Sequence, residues 1–173
     1  MKKRKGFTLV ELLIVEATIG ILGAIAIPSL VRARISANEA AAIGDSRTVF
    51  SSQVAYEASN RPGGYAAVLS HMSSTPPLNA PPGTTSFLDP QIGAAGVIFK
   101  QGYTRTLLPG STTGGSGGWT PGVTTYAYQA EPATLGYTGI RMFAIDHTGL
   151  ICFSSGVPVG AAGSGLPLNC TPI

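Results

Sequence analysis

The sequence predicts an α+β fold. One long N-terminal α-helix, kinked near Pro28, packs by its C-terminal half on a roughly four-stranded antiparallel sheet. Three observations carry this expectation. An apolar run from Phe7 to Val31 passes directly into an alanine-rich stretch with helical periodicity. A Gly- and Pro-rich middle then breaks all periodicity. Beyond it come four segments with strand character, bounded by turn residues.

The N-terminal element is the most informative. Lys2, Lys3, Arg4 and Lys5 precede Gly6, and the apolar run begins at Phe7. A bilayer span takes roughly 20 apolar residues, so Phe7 to Val31 is long enough to cross. The basic residues ahead of it predict an N-in orientation, with the rest of the chain outside the cytoplasm. Glu11 and Glu16 interrupt the run. A carboxylate at a bilayer centre costs on the order of 2.5–3.5 kcal/mol on insertion scales, so each requires a partner or a protein surrounding. An ordinary secretory signal, with Ala24-Ile25-Ala26 as its cleavage site, would not carry so long a run with two glutamates. A permanent single-span anchor is a further reading of the same residues.

Gly20, Gly23 and Pro28 weaken the helix locally. Pro28 has no N–H and its ring meets the preceding turn, so a kink or break is expected there. From Ser29 to Ser59 a stripe of Val31, Ile35, Ala42, Val49 and Tyr56, widened by Ile43, Phe50 and Val54, marks an amphipathic helix laid on a core. Arg32, Arg34, Glu39, Asp45 and Arg47 are assigned to solvent or to neighbouring subunits. Asn60-Arg61-Pro62-Gly63-Gly64 stops the helix, which would measure about 80 Å. Its first half has no globular partner in its own chain.

Residues 60–96 read as a connecting region with helical turns near Tyr65–Met72 and Leu88–Ala94. The expected strands are Gly96–Leu108, Val123–Glu131, Gly139–Asp146 and Leu150–Ser154. Asp146-His147-Thr148-Gly149 forms a hairpin turn, and Asp89 and Asp146 are turn or cap residues. Residues 111–118 are a loop. Trp119 is assigned to the sheet edge.

Composition narrows the function. The net charge of +3 comes from the four leading cations, and the remainder is close to neutral, so no basic patch for nucleic acid is left. His71 and His147 are the only histidines and have no metal-ligand spacing. No nucleophile elbow, phosphate loop or CxxC motif occurs, so no enzymatic activity, metal or cofactor is expected. The two cysteines, Cys152 and Cys170, are either a disulfide, if this part is exported, or two reduced thiols. A bridge closing that segment restricts the unfolded chain by roughly 3 kcal/mol in the entropic model.

The residues GFTLVELL followed by IGILGAIAIP closely resemble the N-terminus of type IV pilins and the related pseudopilins, most of all the type IVa pilins. The resemblance covers residues 1 to about 35. It implies that residues 1–6 are a leader removed by a membrane prepilin peptidase, which cuts after Gly6 and methylates the new N-terminus, Phe7. It implies that residues 7–31 are a transmembrane and polymerisation helix, 32–59 its amphipathic continuation, 60–96 a connector and 97–173 a sheet head ending in a segment bounded by a Cys152–Cys170 disulfide. Glu11 then pairs with the Phe7 amine of a neighbouring subunit, or of its own helix. Glu16 and Thr18 depart from the family pattern, and Glu16 is expected to make a second contact between subunits. Gly20, Gly23 and Pro28 mark where helicity is lost on assembly.

The implied function is that of a structural subunit. It starts as a single-pass precursor in a bacterial inner membrane and ends in an extracellular helical filament of copies of itself. Its partners are the peptidase, an assembly platform protein and a cytoplasmic ATPase. A pseudopilin of a type II secretion system, in a periplasmic filament, and a minor pilin share the same N-terminus.

Overall fold

The computed structural model describes residues 6–59, 63–74, 77–78, 83–94, 96–113, 122–155 and 171–173. Helix α1 spans Leu9–Ser59 and a single turn of helix, α2, spans Ser70–Ser73. Six strands follow: β1 Ile98–Lys100, β2 Tyr103–Pro109, β3 Tyr126–Pro132, β4 Arg141–Asp146, β5 Ile151–Ser155 and β6 Thr171–Pro172. They form one antiparallel sheet in chain order, β1-β2-β3-β4-β5-β6.

The α+β reading therefore holds, with six strands where four were expected. The two additions are short. The segment expected as Gly96–Leu108 is a hairpin, because Gln101 and Gly102 take positive φ and fold β1 back on β2. Strand β6 pairs two residues with β5. The β4–β5 hairpin turns at Asp146–Gly149 as anticipated. The Asp146 carboxylate accepts from the Thr148 amide at 2.9 Å, and the Gly149 amide donates to the Asp146 carbonyl at 3.1 Å.

A break near Pro28 does not occur in this subunit, since α1 runs unbroken through Gly20, Gly23 and Pro28. One proline removes a single i→i−4 hydrogen bond. With nothing packed around it, the helix has no competing contact that would open it further.

Only the second half of α1 meets the sheet. Its buried line is Ile35, Glu39, Ala42, Ser46, Val49, Ser52, Gln53 and Tyr56, a stripe of period 3.6. Two members of the expected stripe lie outside it: Val31 is before the head begins, and Val54 is on the solvent side. Val49 and Tyr56 pack with Leu69, Met72, Leu88, Ile92, Ile98, Tyr128 and Ile145. Ala42 packs with Tyr103, Ala130 and Phe143. Met142, Ala144 and Cys152 form a small cluster on the other face of the sheet.

Polar contacts fix the register of helix on head. Gln53 clasps the Ala66 peptide, its Nε2 donating to the carbonyl at 3.1 Å and its Oε1 accepting from the amide at 2.8 Å. Ser52 Oγ donates to the Phe87 carbonyl at 2.8 Å. Asn38 Nδ2 donates to the Thr138 carbonyl at 2.9 Å.

Candidate assembly site

The side chains of Phe7 and of the apolar residues from Leu9 to Val31 are all exposed. The most apolar window of α1 has a mean hydropathy of 2.2 and none of it is buried. An apolar surface this long does not remain in water. It has the length to enter a bilayer and the continuity to pack along a second helix.

The start of α1 is a capping box, carried by the spacing Thr8-x-x-Glu11. The Glu11 amide donates to Thr8 Oγ1 at 3.3 Å, and the Thr8 amide donates back to Glu11 Oε2 at 2.8 Å. Thr8 Oγ1 also donates to that oxygen at 2.7 Å. Glu11 is thus held by its own helix start, with one carboxylate oxygen engaged, beside Phe7, Leu12, Ile14 and Val15. Sequence reasoning weighed Glu11 against the Phe7 amine and passed over Thr8, although the T-x-x-E spacing was there to be read.

Glu16 is different. It is exposed, and among the described residues it has no hydrogen bond or ion pair. Thr18 satisfies its hydroxyl within its own turn, donating to the Val15 carbonyl at 2.8 Å. Of Glu16 and Thr18, only the carboxylate lacks a partner among the described residues. Gly20 and Gly23 have no neighbouring atoms that an added Cβ would meet, so nothing in the single subunit calls for glycine there.

Two acidic residues assigned to solvent or to neighbouring subunits are instead internal clamps. Glu39 is buried against β4. Its Oε1 accepts from the Ile140 and Arg141 amides at 3.0 and 3.1 Å, and its Oε2 accepts from Arg141 Nε and Nη2 at 2.9 and 2.6 Å. Burial pushes the Glu39 carboxyl up. The Arg141 side chain, the two amides and the Arg141 charge outweigh it and hold the group below its ordinary value. Arg141 in turn lies over the Phe143 and Phe153 rings, 5.7 and 5.6 Å from their centroids.

Asp45 pairs with Arg105 Nη2 at 2.5 Å and Lys100 Nζ at 3.2 Å. Arg105 is wholly buried, and its guanidinium also donates to the Lys100 and Tyr103 carbonyls. Helical spacing alone places Glu39 on the buried line. The charges of Glu39 and Asp45 were read as surface because their arginine partners, Arg141 and Arg105, lie 102 and 60 residues further along the chain, and no local pattern joins them.

Cys152 is buried in β5, and no free cysteine is present among the described residues. Cys170 lies outside the described residues, as do residues 1–5 of the expected leader and Trp119. Among the described residues no group of His, Cys, Asp and Glu could hold a metal ion.

An apolar helix with a capped glutamate at its start, carried by a small sheet head, defines a class of chain that is built around its N-terminal segment. Residues 1–27 match the family model described as the prokaryotic N-terminal methylation motif. The chain is 59% identical over 39 residues to the type IV wide pilus major component PilA4 of Thermus thermophilus. That match covers 22% of this chain and 30% of the relative's length. No solved structure matches the chain. The family-model match is confined to the N-terminal segment, and the matched stretch spans about a third of the length of the curated relative.

Proposed function

We propose that the chain is a pilin, a structural subunit that polymerises into a type IV pilus after cleavage between Gly6 and Phe7 and methylation of Phe7. The observation that carries this reading is the wholly exposed apolar half of α1 behind a prepilin-type motif. The precursor sits in the inner membrane through residues 7–31, with its N-terminus cytoplasmic. Cleavage frees the Phe7 amine, and Glu11 of an adjoining copy receives it, exchanging its capping contacts with Thr8 for a charge pair. In the dry interior of a filament such a pair sets register, because a copy out of register leaves a buried charge uncompensated. The break at Gly20, Gly23 and Pro28 belongs to this packed state. The peptidase, the platform and the ATPase are separate proteins.

A Cys152–Cys170 disulfide accompanies this reading. Thr171 pairs with Phe153 and Pro172 with Cys152, so the chain returns beside Cys152 directly after Cys170.

Mass spectrometry of filaments sheared from the native cells tests the proposal. The expected species is an abundant chain beginning at methylated Phe7, two hydrogens lighter than the reduced mass. A chain left uncut after Gly6 in cells with an active prepilin peptidase overturns it. A processed chain confined to the envelope fraction replaces it with a pseudopilin or minor pilin.

A further inference from the structure

The unpartnered Glu16 has a complement in the same helix. Among the described residues three cations have no ion pair or hydrogen bond: Arg32, Arg34 and Arg47. The other three, Lys100, Arg105 and Arg141, are committed to Asp45 and Glu39. Glu16 and the three free arginines all lie on α1 and are all exposed. None can fold back to Glu16, because a continuous helix holds them far apart.

Their positions around the helix separate them. At about 100° and 1.5 Å per residue, Arg32 is about 160° around from Glu16 and about 24 Å along the axis. Arg34 falls within a few degrees of Glu16 on the same side, about 27 Å along. The line from Ile35 through Glu39, Ala42, Val49 and Gln53 marks the side that faces the sheet. Relative to it, Glu16 and Arg34 are on one flank of α1, about 90° away, and Arg32 is on the other flank, about 70° away. Arg47 is farther along the axis and lies beside Phe50, Gly149 and Ile173 on the head.

A helical array repeats one head-to-tail contact, in which a patch on one copy meets a different patch on the next. When parallel copies stand side by side with their heads on the same outer side, one flank of each α1 meets the opposite flank of its neighbour. Arg34 shares the flank of Glu16 and is excluded from that contact. Arg32 is on the facing flank. We propose that Glu16 of one copy pairs with Arg32 of a parallel copy displaced by about 24 Å along the helix axis. This rests on the filament reading above and adds to it a named pair and a displacement. It is separate from the Glu11 contact, which lies one and a half turns earlier on another side of the helix. The occupant of this helix face is therefore a second copy, selected by charge complementarity between two otherwise unpartnered residues.

The test uses the full chain in pilus-assembling cells. Sheared filament yield is compared for the native chain, Glu16→Arg, Arg32→Glu, the double reversal and the control pair Glu16→Arg with Arg34→Glu. The expected result is a loss of at least tenfold in each single variant, recovery in the Glu16→Arg/Arg32→Glu chain and no recovery in the control. Wild-type-like yield in both singles, or recovery with Arg34→Glu instead, overturns the pair. Because a reversed charge can also block membrane insertion, Glu16→Cys/Arg32→Cys filaments are treated with a short bis-maleimide. A ladder of cross-linked multimers is expected, absent from either single-cysteine parent. Filaments that form without any ladder overturn the pair while leaving the pilin reading standing. Absence of filaments from the native chain marks failure of the pilin reading itself.

Discussion

Arg105 shows how a single side chain can hold a helix to a sheet. It is wholly buried on β2, and among the described residues the carboxylate it meets is Asp45 of α1. Breaking a buried pair from one side leaves the other charge desolvated and alone. Arg105→Ala is therefore expected to cost about 3–5 kcal/mol, read as a fall in the urea midpoint of the chain in detergent. Arg105→Met combined with Asp45→Leu costs less than Arg105→Ala, since no charge is stranded. Glu39 adds a pH dependence. Its carboxyl is held below its ordinary value of 4.5, so the folded state is favoured by the ionised form. That contribution is complete above 4.5 and is lost as pH falls through the lowered folded value. Unfolding midpoints measured between about pH 6 and pH 3 should decline for the native chain, with a shallower decline in Glu39→Gln.

At the scale of elements, the β4–β5 hairpin depends on Gly149. Its φ is +82°, and a Cβ there would stand 2.8 Å from Phe50 Cζ of α1. Gly149→Ala meets backbone strain and a ring at once, and about 1–3 kcal/mol of destabilisation is expected in thermal melts. The turn was legible from Asp146-His147-Thr148-Gly149 because turn chemistry is local. So was α1, whose apolar run and 3.6-residue stripe are periodic signals. The β1–β2 hairpin was not legible, because its turn uses Gln101 in a positive-φ conformation that gives no compositional sign. Strand β6 escaped notice because two residues carry no period at all. The clamps at Glu39 and Asp45 were hidden for another reason. Each joins α1 to a strand far along the chain, and charge on a helix reads as solvent until its partner is placed. At the candidate site Gly6, Phe7, Thr8 and Glu11 lie within six consecutive residues, so the pattern that singles them out is local in the sequence.

The whole molecule divides by burial. Every packed side chain of α1 lies at or beyond Ile35, and the side chains before it are exposed. A chain lacking the residues before Arg32 is expected to elute as a soluble monomer on size-exclusion chromatography without detergent, whereas the full chain requires it. The three polar clamps, Glu39 on Arg141, Asp45 on Arg105 and Gln53 on Ala66, are spaced along the same side of the helix. A pull along α1 reaches all three together and runs parallel to the helix–sheet seam. The clamps then share the load in shear, and the head resists being stripped from its helix at forces that would peel the same contacts apart one at a time.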